Sequence, residues 1–177
     1  MYRDNSLIPI EAMRIAALGA LADKPMRYAE IAADVRRFAS RIVGPSLDLM
    51  GSSVEVLRAE GLIGPAEPGD DPLLMLTPTG RADLITLLKA GIRATNTELN
   101  RLVVALKMRF LHLLPPPDRR DQIRLLQSLL TGERDRYCDL QAGSGNDALF
   151  GDWLRFEIEV LEARLAWLDR FAERCAS

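Results

Sequence analysis

The stretch from Ser46 to Gly80, SLDLMGSSVEVLRAEGLIGPAEPGDDPLLMLTPTG, constrains this chain more than any other. Leu47, Met50, Val54 and Leu57 recur at spacings of three and four, which predicts one buried helical face. Ser46 is placed to cap that helix, and Gly61 offers the left-handed residue that ends it. Leu62-Ile63 and Leu73-Leu74-Met75-Leu76 are short apolar runs suited to strands. Between them, Glu67-Pro68-Gly69-Asp70-Asp71-Pro72 is turn chemistry. Thr77 then caps a further helix, with Pro78 at its first position. A hairpin must therefore fit between two helices with almost no slack.

Upstream, Pro9 opens a helix carrying Ile10, Met13, Ala17 and Leu21. It stops at Asp23-Lys24-Pro25, because the residue before proline resists helical torsion angles. A second helix, Arg27 to Ala39, has Ile31, Val35 and Phe38 on its apolar face, and Gly44-Pro45 breaks it. Three helices, a hairpin and a closing helix predict a winged helix-turn-helix over residues 1–90. Residues 91–177 read as helical throughout. Thr97 to Leu114 carries a wide apolar stripe, Leu99, Leu102, Val103, Leu106, Phe110 and Leu113. Pro115-Pro116-Pro117 ends it. Asp118 caps a helix bearing Ile123, Leu126, Leu130 and Tyr137, and a flexible loop follows over residues 142–146. In the last helix, about Asp147 to Arg174, the residues Leu154, Ile158, Leu161, Leu165 and Leu168 keep a heptad seam. Trp153, Phe156, Val160, Ala163 and Trp167 form a second stripe beside it. That is more apolar face than one partner in the same chain needs. The expectation is a mainly α chain whose C-terminal domain dimerises, with Leu154, Ile158, Leu161, Leu165 and Leu168 as the interface.

Composition removes other classes. At 177 residues and 48% hydrophobic, the chain has room for a substantial core or two small ones. A formal net charge of −2 is no polycation. No run of 18 apolar residues predicts a membrane span, and the N-terminus lacks the basic-then-apolar pattern of a secretory signal. Cys138 and Cys175 stand far apart in helical patterns and read as free thiols, as in a cytoplasmic protein. The lone His112 has no second ligand at metal spacing, so it reads as an interface or cap residue. Ser52-Ser53 has no base positioned beside it, and Gly143-Ser144-Gly145 lacks the strand and lysine of a phosphate loop. Glu157, Glu159 and Glu162 sit among arginines as a solvated face. The expectation is a non-enzyme with no cofactor and no metal.

The motif LRAEGLIG, then a hairpin, then LTPTGRADL, resembles the PadR-type transcriptional regulators. The match lies at Leu57, Glu60, Gly61, Leu62, Leu76, Thr77, Gly80 and Arg81. FLHLLPPPDRRDQIRLL resembles the start of the C-terminal helical domain of PadR-type regulators related to virulence activators. LEARLAWLDRF resembles its last helix. The resemblance covers most of the chain in the family's order. It implies a homodimeric regulator on a near-palindromic double-stranded DNA site. Some members respond to small aromatic molecules held in the dimer region. For Trp153, Phe156, Val160 and Trp167 that leaves two readings, ordinary packing in the dimer core or an effector slot between subunits.

Candidate DNA contacts follow. Arg36, Arg37 and Arg41 read either as a phosphate clamp or as a solvated face. Arg27 and Tyr28 start the same helix, where a phosphate can meet its N-terminus. Ser46, Ser52 and Ser53 can bond phosphates or bases. Against these stand Asp48, Gly51 and Glu55 on the exposed face of the third helix, and an acidic hairpin tip of Glu67, Asp70 and Asp71. Residues 1–90 hold 10 Lys and Arg against 12 Asp and Glu, and phosphate contacts carry most DNA affinity. The alternative is thus a degenerate winged-helix interaction module without DNA binding.

Overall fold

A computed structural model describes residues 7–44, 53–69, 71–92, 98–143 and 148–176. Among the described residues seven helices and one hairpin follow in order: α1 (Pro9–Asp23), α2 (Tyr28–Val43), α3 (Ser53–Ala59), β1 (Ile63–Pro65), β2 (Leu74–Leu76), α4 (Pro78–Lys89), α5 (Glu98–Phe110), α6 (Pro116–Gly143) and α7 (Ala148–Ala176). A 3-10 turn, Leu111–Leu113, follows α5. The chain is mainly helical, an N-terminal winged helix-turn-helix followed by a helical C-terminal part. It divides into two compact units, Met1–Leu114 and Pro115–Ser177. The division falls beyond residue 90 because α5 packs on α1 and α2 and buries Leu102, Val103, Leu106 and Phe110 in the first unit.

In the first unit α1 is the centre, packed against α2, α3, α4, α5 and β2. Nine of its residues are buried, among them Ala12, Ala16, Ala17 and Ala20, so its neighbours approach from several sides. A helix buried all round shows no single apolar stripe, and Ile10, expected inside, is 55% exposed. Gly19 lets the Phe110 ring lie directly against the helix; a Cβ there would overlap the ring. Arg14, half-buried on α1, is paired with Glu60 and lies 3.9 Å from Asp83.

The wing is an antiparallel pair with Ile63 opposite Leu76, Gly64 opposite Met75 and Pro65 opposite Leu74. Met26 adds an isolated antiparallel bridge to β2 through reciprocal bonds with Leu74 of 3.0 and 2.8 Å. The joint between α3, the wing and α4 explains the motif read in the sequence. Gly61 takes φ +71°, the left-handed exit expected of it. The Thr77 hydroxyl donates to the Gly61 carbonyl at 2.8 Å and accepts from the Gly80 N–H at 3.0 Å. Gly80 sits so close to the Leu62 carbonyl that any Cβ would collide with it. One threonine and two glycines thus tie three elements together.

Helix boundaries differ from expectation at α2, α5 and α6, with α5 ending at Phe110 instead of Leu114. Pro116 and Pro117 begin α6 instead of lying outside it, since a proline's missing N–H costs nothing in a first helical turn. α2 runs on to Val43, where Gly44 at φ +87° ends it. The Ser46 cap and the first turns of the third helix lie outside the described residues.

In the second unit α6 and α7 run antiparallel. Tyr137 and Trp153 have ring centroids 6.1 Å apart, while Gln127 donates to Asp169 at 2.6 Å, so residues further from the connection pair in reverse order. Among the described residues no helix is long and apolar enough to cross a membrane.

Candidate nucleic-acid interface

The surface expected to meet DNA comprises α2, α3 and the wing. Glu30 closes the first turn of α2 by accepting from the Arg27 backbone N–H at 2.8 Å. Arg27 is therefore the residue just before the helix, and Tyr28, its first residue, is 39% exposed. The Arg27 guanidinium points back to the wing, where it donates to the Asp71 carboxylate at 2.7 Å and to the Asp71 carbonyl at 3.2 Å. That hydrogen bond and the Asp71 charge hold the Arg27 pKa above its ordinary value.

Arg36, Arg37 and Arg41 are all exposed but do not share one face. At roughly 100° per residue, Arg37 and Arg41 lie together and Arg36 is turned away from both. Arg37 donates to Asp34 at 3.0 Å. The other oxygen of Asp34 accepts from Arg109 of α5 at 2.8 Å. Arg36 and Arg41 carry no ion pair among the described residues. The expected three-arginine cluster therefore resolves into two free cations and one held in a network.

Ser46 and Ser52 lie outside the described residues, as do the Ser53 side chain, Asp48, Gly51 and Asp70. The described part of α3 presents Glu55, Val56 and Arg58 to solvent, while Val54 and Leu57 are buried as expected. Glu67 is exposed on the wing.

Arg109 was not signalled by any motif. Its guanidinium lies 4.7 Å from the centre of the Phe38 ring and 4.9 Å from that of Phe110. It lines a cleft of about 380 Å³ with Asp23, Lys24, Glu30, Asp34 and Arg37. Three of those charges already answer one another, since Asp34 holds both Arg37 and Arg109, and Asp23 lies 3.4 Å from His112 Nε2. His112 also sits 3.2 Å from the Arg109 carbonyl through Nδ1, so it bridges two elements of the first unit. Lys107 is the other unforeseen group. It is 1% exposed, and its Nζ donates to the Leu88 and Ala90 carbonyls at 2.6 and 2.7 Å, at the end of α4. Burial lowers its pKa from 10.5 to about 8.

The residues expected at a dimer interface fall differently. Leu154, Ile158, Leu161 and Leu168 are 0, 9, 2 and 5% exposed within the single chain, and Leu165 is half-buried. The leucine seam is thus consumed inside the protomer, where α6 and α7 pack along one another. The expectation placed these residues against a second subunit; within the single chain four of the five are already buried. The other stripe is the open one: Trp153, Phe156 and Trp167 are 46, 58 and 43% exposed, with Val160 half-buried between them. Trp153 stacks on Phe150 at 5.7 Å, and Trp167 on Phe171 at 4.9 Å.

A protein-family model described as "Putative AphA-like transcriptional regulator" matches residues 2–172. No curated protein matches the chain.

Proposed function

The chain belongs to the AphA-like family of transcriptional regulators, and from that premise we propose that it is a PadR-type regulator that binds double-stranded DNA as a homodimer. The observation that carries DNA binding is the winged helix-turn-helix itself, with its third helix and wing locked by Gly61, Thr77 and Gly80. Arg36 and Arg41 supply exposed cations on α2 that have no ion pair among the described residues. Phosphate contacts of this kind set register and affinity without reading sequence.

The second copy is proposed to cover the open stripe of α7. Leu149, 84% exposed, extends that stripe by one more heptad step before Trp153. Trp153 and Trp167 lie seven residues to either side of Val160. Two α7 helices crossing antiparallel at Val160 would set Trp153 of each copy against Trp167 of the other. The same operation would set Leu149 against Phe171. Such a pairing is self-complementary, as a two-fold interface requires.

Binding of purified protein to genomic duplex fragments, followed by anisotropy from low to moderate salt, tests the reading. Arg36→Ala and Arg41→Ala should each weaken binding to all sequences alike and reduce the salt slope by about 0.9. Arg37→Ala should do less, since Asp34 already holds that side chain. Wild-type protein that ignores duplex DNA at low salt would refute it. That result would favour the other reading, a winged-helix interaction module, which the exposed acids Glu55, Glu67 and Asp71 support.

A further inference from the structure

Arg27 lies where the wing meets the start of α2. Its neighbour Met26 is bonded to Leu74 in both directions, which fixes the backbone of Arg27 against the wing. Successive residues of an extended strand alternate faces, so Arg27 emerges on the face opposite buried Leu74. Asp71 lies just before the start of β2 and meets Arg27 there with two acceptors, its carboxylate at 2.7 Å and its carbonyl at 3.2 Å. Both side chains are mostly solvent-exposed, at 54% and 64%. The pair therefore contributes little to folding. What it does control is the charge that Arg27 can show to another molecule.

We propose that Asp71 is an internal competitor for phosphate: in the free protein the wing tip occupies the Arg27 guanidinium, and DNA binding exchanges the Asp71 carboxylate for a backbone phosphate. This rests on the DNA-binding reading above. Carboxylate and phosphate oxygens are alternative acceptors for the same fork of N–H donors. An exposed pair exchanges such partners readily, because water already screens it. The exchange also removes a carboxylate from the path of the DNA backbone, so the wing must leave Arg27 as the duplex arrives. The acidic tip, which looks wrong for a wing that binds DNA, then acts as a latch that lowers affinity for every sequence. Only a duplex that supplies enough other contacts opens it.

The test is a double-mutant cycle on duplex binding, using full-length wild type, Asp71→Ala, Arg27→Ala and the double variant across a salt series. Asp71→Ala should bind roughly three- to tenfold tighter, with a salt slope steeper by about 0.9, the mark of one added phosphate contact. In the Arg27→Ala background the same change should give little gain and no added slope. Melting temperatures near wild type for all four would show that the wing stays folded. If the gain from Asp71→Ala is undiminished in Arg27→Ala, Asp71 repels DNA as a general charge and the latch is refuted, with DNA binding intact. If wild type binds duplex but Asp71→Ala binds no tighter, the latch is refuted again. If none of the four binds at low salt, the DNA-binding reading itself falls, and the latch with it.

Discussion

At the scale of single residues, Lys107 makes stability depend on pH. It is a buried ammonium at the C-terminal end of α4, where the helix carbonyls favour positive charge. Burial nonetheless lowers its pKa to about 8 from 10.5. Between those values the unfolded chain binds more protons than the native one, so stability rises with pH there; below pH 8 the full penalty applies. Denaturant melts should show wild type gaining on the order of 3 kcal/mol between pH 8 and 10.5, relative to Lys107→Met over the same range. Parallel pH profiles for the two proteins would show that Lys107 does not titrate in that window. Gly80 and Gly19 belong to the same scale. Each is required by a close approach, of the Leu62 carbonyl in one case and the Phe110 ring in the other. The reason the LTPTGR segment needs its glycine is thus steric, and independent of any DNA contact.

At the scale of elements, α7 carries one buried seam and one open seam, to which the proposed dimer would give different roles. Leu161 is 2% exposed in the protomer, so Leu161→Ala should cost about 2–5 kcal/mol of stability and leave the mass in solution unchanged. Trp153 and Trp167 are half-exposed, so Trp153→Glu with Trp167→Glu should leave the protomer folded and abolish pairing. Light scattering at micromolar concentrations should give two chains for wild type and one for the glutamate variant. A wild-type mass of one chain, or a Leu161 variant that dissociates without losing stability, would overturn this division. The helix α2 shows a related contrast: Arg37 faces the Asp34–Arg109 network of the first unit, while Arg36 and Arg41 face solvent.

At the scale of the whole molecule, the open stripe of α7 is where the proposed homodimer would hold a small molecule. Packing of Trp153 and Trp167 in the dimer core is the simpler outcome, since aromatic anchors are ordinary at interfaces. If the two copies leave a flat slot lined by Trp153, Phe156, Val160 and Trp167, a planar aromatic ligand would favour one dimer geometry and shift DNA affinity. Titrating the dimer with planar aromatic compounds should then quench tryptophan emission saturably. The quenching should be lost in Trp153→Leu and should track a change in DNA affinity. Emission unmoved by every compound would leave the stripe a plain interface.

The residues by themselves determined the winged plan, because its signals are local. Gly61 needed a left-handed exit, Thr77 a cap and Pro78 a first helical turn, and the structure has all three. The heptad pattern in α7 was equally legible, since periodicity is a property of the chain. Periodicity cannot say which of two stripes a neighbouring helix will take. Only the antiparallel packing of α6 and α7 assigned the leucines to the protomer and left the tryptophans outside. Nor could sequence place Arg109 against Asp34, 75 residues away, or Asp71 against Arg27, 44 residues away. Those pairs join distant parts of the chain, and which charges remain free for DNA depends on them. The fold follows from torsional and packing preferences written along the chain. The charge pattern that meets a partner is fixed only when the chain has closed on itself.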